Sequence, residues 1–481
     1  MAQTKFFFLK KHWPIITIIL IAAFCRLYRL SEYMEFLGDQ GRDVVIVRDF
    51  LKNGNLFFIG PQTSIGNMYL GPYYYYLIAP ALLLALFNPI GPAAFISLLG
   101  VLTVFLLYKI ASLWFNRYVG LIAALLYALS PVVIKYSSFS WNPNIMPLFS
   151  LLFIYFLTQK RYILASLAFI FCLNSHYLAL LLLFPAVFSI LKSYSRIELK
   201  PILIAIGIFL LSFTPQILFD IKHRGQNMGA IITFFGQRET TVNLKAYKAL
   251  PKLPEMFSEI STRLLAGKNE VIGIYVSIVF FTLLILMLLK NRFDSQQRSK
   301  YYLCLVWFLG GLTGLALYKQ HIYDHYFGFI YPVIFILIGL GINRLGKLLG
   351  SLLLAVLVYF SLLQNPFRWS PPRQLQTTAA ITSSIIQSSR GEPFNFALLA
   401  KMNYDPGYLY FLTANKPSNY FHLRDKISDQ LFVVCEPFQI DCAPINNPEW
   451  GIAAFGWAKI EKEWEINGIK IFKLIHNPTG T

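Results

Sequence analysis

GDQGRDVVIVRDFLKNG, Gly38 to Gly54, follows directly on the first membrane-length apolar segment of the chain. Val44, Val47 and Leu51 recur at helical spacing between two glycines suited to helix ends, so the stretch is expected to form a short amphipathic helix. Asp39 and Asp43, four apart, share one of its faces. A helix with an apolar stripe just outside a spanning segment is expected to lie along the membrane surface. Two roles are open for its charges. Asp39 would be an N-cap and Arg48 an anchor to lipid phosphate, or the two carboxylates would do general-base chemistry on a lipid-borne substrate.

The rest of the chain sets the scene for that choice. Of its 481 residues, 56% are hydrophobic and 14% charged. A soluble protein would carry about a quarter charged residues. The hydropathy comes in blocks of spanning length, which implies a polytopic α-helical membrane protein. A net charge of +19 would suggest nucleic acid in a soluble chain. Here much of the excess lies in short loops between apolar segments, as the positive-inside rule requires, and nucleic acid is excluded as a partner. Lys5, Lys10 and Lys11 precede the apolar segment 13–28, with no small-residue cleavage pattern after it. An uncleaved first helix with a cytoplasmic N-terminus follows, in what the lack of targeting motifs suggests is a prokaryotic inner membrane.

The apolar piece 73–87 is short for a span. Placing it at the surface puts the basic loops around Arg117, Lys160, Arg196, Lys290, Arg292 and Arg344 on the cytoplasmic side with the N-terminal lysines. Ten further spans are then expected near 93–113, 118–135, 145–158, 162–173, 177–191, 201–219, 271–289, 301–318, 326–343 and 347–363. About eleven in all place the C-terminus outside. Whether 162–191 is one span or two rests on Asn174-Ser175-His176, its one polar break. Residues 1–364 form the expected transmembrane catalytic domain, with outer loops at 31–92 and 220–270. The long loop, with Lys222, Arg224, Arg238, Lys245 and Lys248, would cover a cavity or be a solvated linker. Residues 365–481 read as a small extracytoplasmic α/β domain, with strands expected at 394–399, 431–434, 452–455 and 469–474. Cys435 and Cys442 would pair if that domain faces an oxidising compartment, whereas Cys25, Cys172 and Cys304 are packing residues.

The outer loops share a polar and aromatic character. Interfacial aromatic belts explain most of the tyrosines 73–76 and Tyr326. They do not explain Asn142 and Asn144 in SFSWNPN, His176 in NSHY, or His321, Asp324 and His325 in KQHIYDHY. Together these describe a polar cavity between helices, with Tyr326 at its edge. His321 and His325 are spaced for a metal on a helix, but no HExxH accompanies them, and no metal ligand is assigned. A phosphate site is the better fit, with Lys319, His321, His325, Arg42 and His176 neutralising a lipid-linked phosphate.

On these residues the chain resembles the GT-C glycosyltransferases, in the protein O-mannosyltransferase-like branch (glycosyltransferase family 39) that includes the lipid A aminoarabinose transferases. That branch has an Asp-Glu-x-Arg-Tyr run after its first span, then a basic–acidic pair and a glycine. Here these stand as Asp39-Gln40-Gly41-Arg42-Asp43, Arg48-Asp49 and Gly54. Its Lys-Pro-Pro before a Tyr/Leu-rich helix stands as Gly71-Pro72 before 73–77. Its aromatic outer turn with an acidic residue before Pro-Leu stands as Asn142-Pro143-Asn144 before Pro147-Leu148. Its Arg-Tyr before a Pro-containing helix stands as His325-Tyr326 with Pro332. The resemblance covers most of 1–365. It implies transfer of a sugar from a polyprenyl-phosphate donor to a hydroxyl acceptor on a lipid, glycan or protein, on the outer face and with inversion. Asp39 would be the general base, with Asp43 a second carboxylate, while Arg42 and His325 would stabilise leaving-group charge. The departures are Gly71 for the lysine, Asn144 for the acidic residue and Gln40 for the glutamate. The need for a divalent cation stays open.

Other classes make different demands. A lipid-linked-sugar transporter or flippase would share the cavity but often shows paired halves, and no internal repeat is visible. A polysaccharide polymerase or ligase would not need an acidic helix directly after the first span. A structural membrane protein would tolerate replacement of Asp39.

Overall fold

A computed structural model of the chain describes residues 2–64, 66–192, 198–236, 241–243, 245–289, 293–414, 419–436 and 442–477. Arg196, Arg238, Lys290 and Arg292, and the side chains of Lys5, Lys10 and Lys11, lie outside the described residues. The chain divides into two compact units. The first comprises 1–28, 56–81 and 91–370, and the second 29–55, 82–90 and 371–481.

The first unit is a helical membrane bundle. Each of the eleven apolar segments is helical, and among the described residues five helices are long and apolar enough to cross a bilayer: Ile90–Trp114, Leu199–Lys222, Glu270–Leu289, Asp324–Arg344 and Gly346–Leu363. Helix Tyr331–Arg344 is the centre, with Tyr331 through Ile342 all buried. It packs on Arg117–Leu129 close enough that a Cβ on Gly339 would meet Val119 O at 3.1 Å. Trp307 is buried in the same core and donates its indole N–H to Phe329 O at 2.9 Å. Its polar atom is therefore satisfied, as burial demands.

Several spans are interrupted where sequence chemistry requires it. Pro131, which has no N–H to give, begins a new short helix after Arg117–Leu129 ends. Residues 162–191 are two elements, Tyr162–Ser175 and the turn and helix Tyr177–Lys192, parted at His176 in extended conformation. The short apolar piece 73–87 forms helix Tyr73–Leu84, only 12 residues. At about 18 Å it falls well short of the bilayer core of about 30 Å. The long loop is not a solvated linker. Helix Leu253–Leu265 buries Met256, Phe257, Ile260, Leu264 and Leu265 in the core. Asp220 starts helix Gln226–Gly236 by accepting the N–H of Asn227 at 2.7 Å and of Met228 at 3.0 Å.

The second unit is built on a four-stranded sheet. Its strands are β1 (Asn395–Leu399), β2 (Gln430–Cys435), β3 (Ala458–Ile466) and β4 (Ile469–His476), in the order β1-β2-β4-β3. β1 and β2 are parallel, and β4 is antiparallel to both β2 and β3. β2 is buried throughout, as its unbroken LFVV run requires, and β3 is an edge strand guarded by Lys and Glu. One face carries Ile381, Ile385, Tyr408 and Leu412 from helices Gln374–Ser388 and Pro406–Leu412; the other carries Ile452 and Phe455. Residues 452–455 are helical rather than the expected strand. Glu449 caps the N–H groups of Gly451 and Ile452 at 2.7 and 3.2 Å, and this local cap outweighs the apolar run.

Cys435 and Cys442 are joined, closing a loop at the end of β2. Reduction is expected to lower the unfolding free energy of this unit by about 2 kcal/mol, the chain-entropy value for so short a loop. Urea melts of the full chain with and without dithiothreitol read it. Coincident midpoints would show that the bridge adds nothing.

Helix Gly38–Asn53 belongs to this second unit. Its buried residues are Gly38, Gln40, Gly41, Asp43, Val44, Val47 and Arg48, and it packs on Pro406–Leu412. The stripe expected to face lipid is therefore covered by protein. Arg48 is not a lipid anchor. Its guanidinium donates to Tyr410 O at 2.7 Å and Thr413 Oγ1 at 2.6 Å, and lies over the Tyr410 ring at 4.6 Å.

Candidate active site

The start of helix Gly38–Asn53 separates the two roles open to Asp39. Its first free donors are met by other groups. Gln40 Oε1 accepts from Leu37 N at 2.9 Å, and Asn403 Oδ1 accepts from Gly38 N at 2.8 Å. Asp39 is not the cap. Its Oδ1 accepts from Arg42 Nη1 at 2.8 Å and from the Tyr404 hydroxyl. Among the described residues Oδ2 has no hydrogen-bond partner, and the side chain is 33% exposed. A carboxylate fixed through one oxygen with the other open can accept a proton. Burial, and then the neighbouring Asp39, push the Tyr404 phenol up from its ordinary value, so it stays a neutral donor to that carboxylate.

Asp43 takes a part other than the one expected. Asp43 is 1% exposed, and its Oδ1 accepts from Arg42 Nη2 at 2.7 Å and Nε at 3.0 Å. A carboxylate so enclosed cannot reach a substrate hydroxyl, so Asp43 orients Arg42 rather than acting as a second base. Arg42 in turn bridges two carboxylates. Part of its charge is thereby offset within its own helix.

The first unit holds a second cluster. His325 lies 4.4 Å from the ring of Trp141 and 4.6 Å from Tyr326, and His176 lies 4.6 Å from Tyr326 and 6.2 Å from His325 (centroid distances). His176 Nδ1 accepts from Leu178 N at 3.2 Å, which makes it the unprotonated nitrogen of a neutral ring. Asn142 is buried and donates to Ser175 O at 2.8 Å, a structural bond across the turn. Asn144 donates to Phe139 O at 2.9 Å, while its Oδ1 and His325 Nδ1 are buried without partners among the described residues. Both residues line a narrow cleft with Gly100, Thr103, Tyr127, Tyr136, Ser137 and Tyr331. Lys319 and His321 are exposed on the stretch before it. His321 packs on Tyr323 and is not helical, so it does not share a helix face with His325. Among the described residues no three His, Cys, Asp or Glu side chains are grouped to hold a metal ion.

Two further charged groups lie beside the cleft. Asp324 is 7% exposed and held by Arg263 and by Lys268 at 2.9 Å, with Glu259 on the far side of Arg263. Two cations and two carboxylates leave this network neutral. Arg26, inside the first apolar helix, is 1% exposed. Its Nη1 donates to Ala22 O and Ala128 O at 3.2 Å, while Nε and Nη2 have no partner among the described residues. A Cβ on Gly100, which lines the cleft, would stand 3.0 Å from Arg26 Nε. An ionisable group within a membrane helix marks function by default, because its desolvation must be offset.

No protein-family model matches the sequence, and no curated protein sequence matches it. Solved structures do. ArnT from Cupriavidus metallidurans bound to undecaprenyl phosphate superposes with a TM-score of 0.62 at 11% identity, over 97% of this chain and 98% of that one. The apo state of the same protein gives 0.58 at 11% identity, over 98% of each chain. The chain has the GT-C fold of these two structures. Archaeal oligosaccharyltransferase AglB from Archaeoglobus fulgidus also matches, at a TM-score of 0.48 and 12% identity, over 84% of this chain and 64% of that one.

Within the GT-C frame, the glycine that stands in place of the motif lysine has a physical counterpart. A Cβ on Gly71 would lie 1.7 Å from Asn174 Oδ1 and 3.2 Å from Gln216 Oε1. Two buried amides fill the space a lysine side chain would enter. Gln40, in place of the motif glutamate, is the helix cap.

Proposed function

We propose that the chain is an integral-membrane glycosyltransferase that moves a sugar from a polyprenyl-phosphate donor to a hydroxyl acceptor on the extracytoplasmic face of a cell inner membrane, with inversion. The observation that carries this is the Asp39 carboxylate, held through Oδ1 with Oδ2 open. The acceptor O–H gives its proton to Oδ2 as the acceptor oxygen forms its bond to the anomeric carbon. The bond from that carbon to the phosphate oxygen breaks, and the polyprenyl phosphate leaves with the electron pair. Support for the donor class comes from the GT-C fold and from the undecaprenyl phosphate bound by ArnT.

Leaving-group charge needs cations or donors. Arg42, which bridges Asp39 and Asp43, is the candidate beside the base. The disulfide fits an oxidising compartment and so an outer location for the sheet unit. The decisive assay supplies purified protein with radiolabelled polyprenyl-phosphate sugars and with lipid, glycan and peptide acceptors in turn. Transfer of label to an acceptor is the expected result. Label moved across vesicles without leaving its lipid would instead make this a flippase.

A further inference from the structure

We propose that the C-terminal sheet unit positions the base: Tyr404 holds the Asp39 carboxylate, and the Asn403–Glu436 pair holds the first residue of its helix. This rests on Asp39 being the base, and makes Tyr404 and Asn403 positioning residues for transfer. The path begins at the buried strand β2. Glu436, the residue after its last, is tied back by its N–H to Leu399 O at 3.0 Å. Glu436 Oε1 accepts from Asn403 Nδ2 and from the Tyr408 hydroxyl, both at 2.7 Å. Asn403 is thereby oriented with its Oδ1 toward the helix, where it accepts from Gly38 N at 2.8 Å and Tyr404 N at 2.9 Å. Tyr404 completes the path. Its ring fills the space where a Cβ on Gly38 would stand, at 2.5 Å, and its hydroxyl donates to Asp39 Oδ1.

Contacts that only fastened the helix to the sheet would end away from the base, as those of Arg48 on Tyr410 O and Thr413 Oγ1 do. This path ends on a carboxylate oxygen. With Arg42 on the same oxygen, rotation of the carboxylate is blocked and Oδ2 is the atom presented. The phenol keeps its proton, since burial and Asp39 both push it up, so the donor persists over the working pH range.

The test uses the full chain in detergent and needs no substrate. A water-soluble carbodiimide with glycine ethyl ester couples to accessible carboxyl groups, and peptide mass spectrometry reads coupling at Asp39. Removing the phenol hydroxyl uncovers Oδ1 and frees the carboxylate to turn toward the reagent. Tyr404→Phe keeps the ring and is expected to raise coupling at Asp39 about tenfold, with the exposed Glu465 on β3 unchanged as the internal control. Glu436→Ala acts at the far end of the path and is expected to raise it severalfold, whereas Glu436→Gln keeps the acceptor and restores the wild-type level. Wild-type coupling in Tyr404→Phe, or equal coupling in Glu436→Ala and Glu436→Gln, overturns the proposal. If Tyr404→Phe fails to fold, the Glu436 pair decides alone. Transfer separates the two claims. Altered coupling with full transfer by Asp39→Asn keeps the positioning path and removes the base. A dead Asp39→Asn with unaltered coupling and turnover in Tyr404→Phe keeps the base and removes the path.

Discussion

Asp39→Asn is expected to lower the turnover of sugar transfer by a factor of about 10² to 10⁴, the usual worth of a positioned general base, while donor binding is kept. The substitution is nearly isosteric. The amide oxygen can still accept from Arg42 and Tyr404, so the side chain keeps its orientation, but an NH₂ replaces the open oxygen and has no basic lone pair. Folding is spared because the helix start is capped by Gln40 and Asn403 and not by Asp39. A burst of donor binding without product in filter assays, beside full turnover in the wild type, is the expected pattern. Asp43 cannot rescue the variant, since it is 1% exposed and engaged by Arg42. Full turnover by Asp39→Asn would therefore remove this helix from the chemistry altogether and direct attention to the His325 cleft.

Helix Gly38–Asn53 was legible to within a residue because glycines flank a helical apolar period, and Gly54 does end it in the left-handed region at φ 75°. What covers its apolar face was not legible. Lipid and protein demand the same period, and the deciding partners, Asn403 and Tyr404, lie 365 positions away from the residues they touch. The formal charge of Arg42 gives no hint of its pairing at i−3 and i+1. His176, His325, Tyr326 and Asn144 were legible as polar groups at apolar ends, and they do converge. Lys319 and His321 share that signature but stay at the surface, because nothing in composition distinguishes a chain that turns inward from one that does not. Arg26 gave no signal beyond being a charge inside an apolar helix. In the sheet unit, strong apolar runs marked β1, β2 and β4, whereas β3 was hidden by the charges that protect an edge.

Gly41 is where the packing of this site is most exposed to a single change. A Cβ added there would lie 2.2 Å from Gly407 N, 2.3 Å from Gly407 Cα and 2.5 Å from Pro406 C. These are backbone atoms of helix Pro406–Leu412 and cannot rotate aside, so Gly41→Ala must drive the two helices apart by more than 1 Å to reach ordinary contact near 3.5 Å. That separation loosens Val44 and Val47, both buried, and stretches the bonds of Arg48 to Tyr410 O and Thr413. Overpacking and the lost charged bonds together are expected to cost about 3 kcal/mol or more, read as a lower midpoint for the sheet unit in urea and as faster proteolysis at 400–405. Gly54→Ala supplies the contrast. Its Cβ would meet nothing, and only the positive φ is strained, for about 1 kcal/mol. If Gly41→Ala were no worse than Gly54→Ala, the close approach of these helices would not hold Asp39 in place. If it is worse, transfer should fall with it, because the displaced backbone begins two residues after the base and the hydroxyl of Tyr404 cannot follow it.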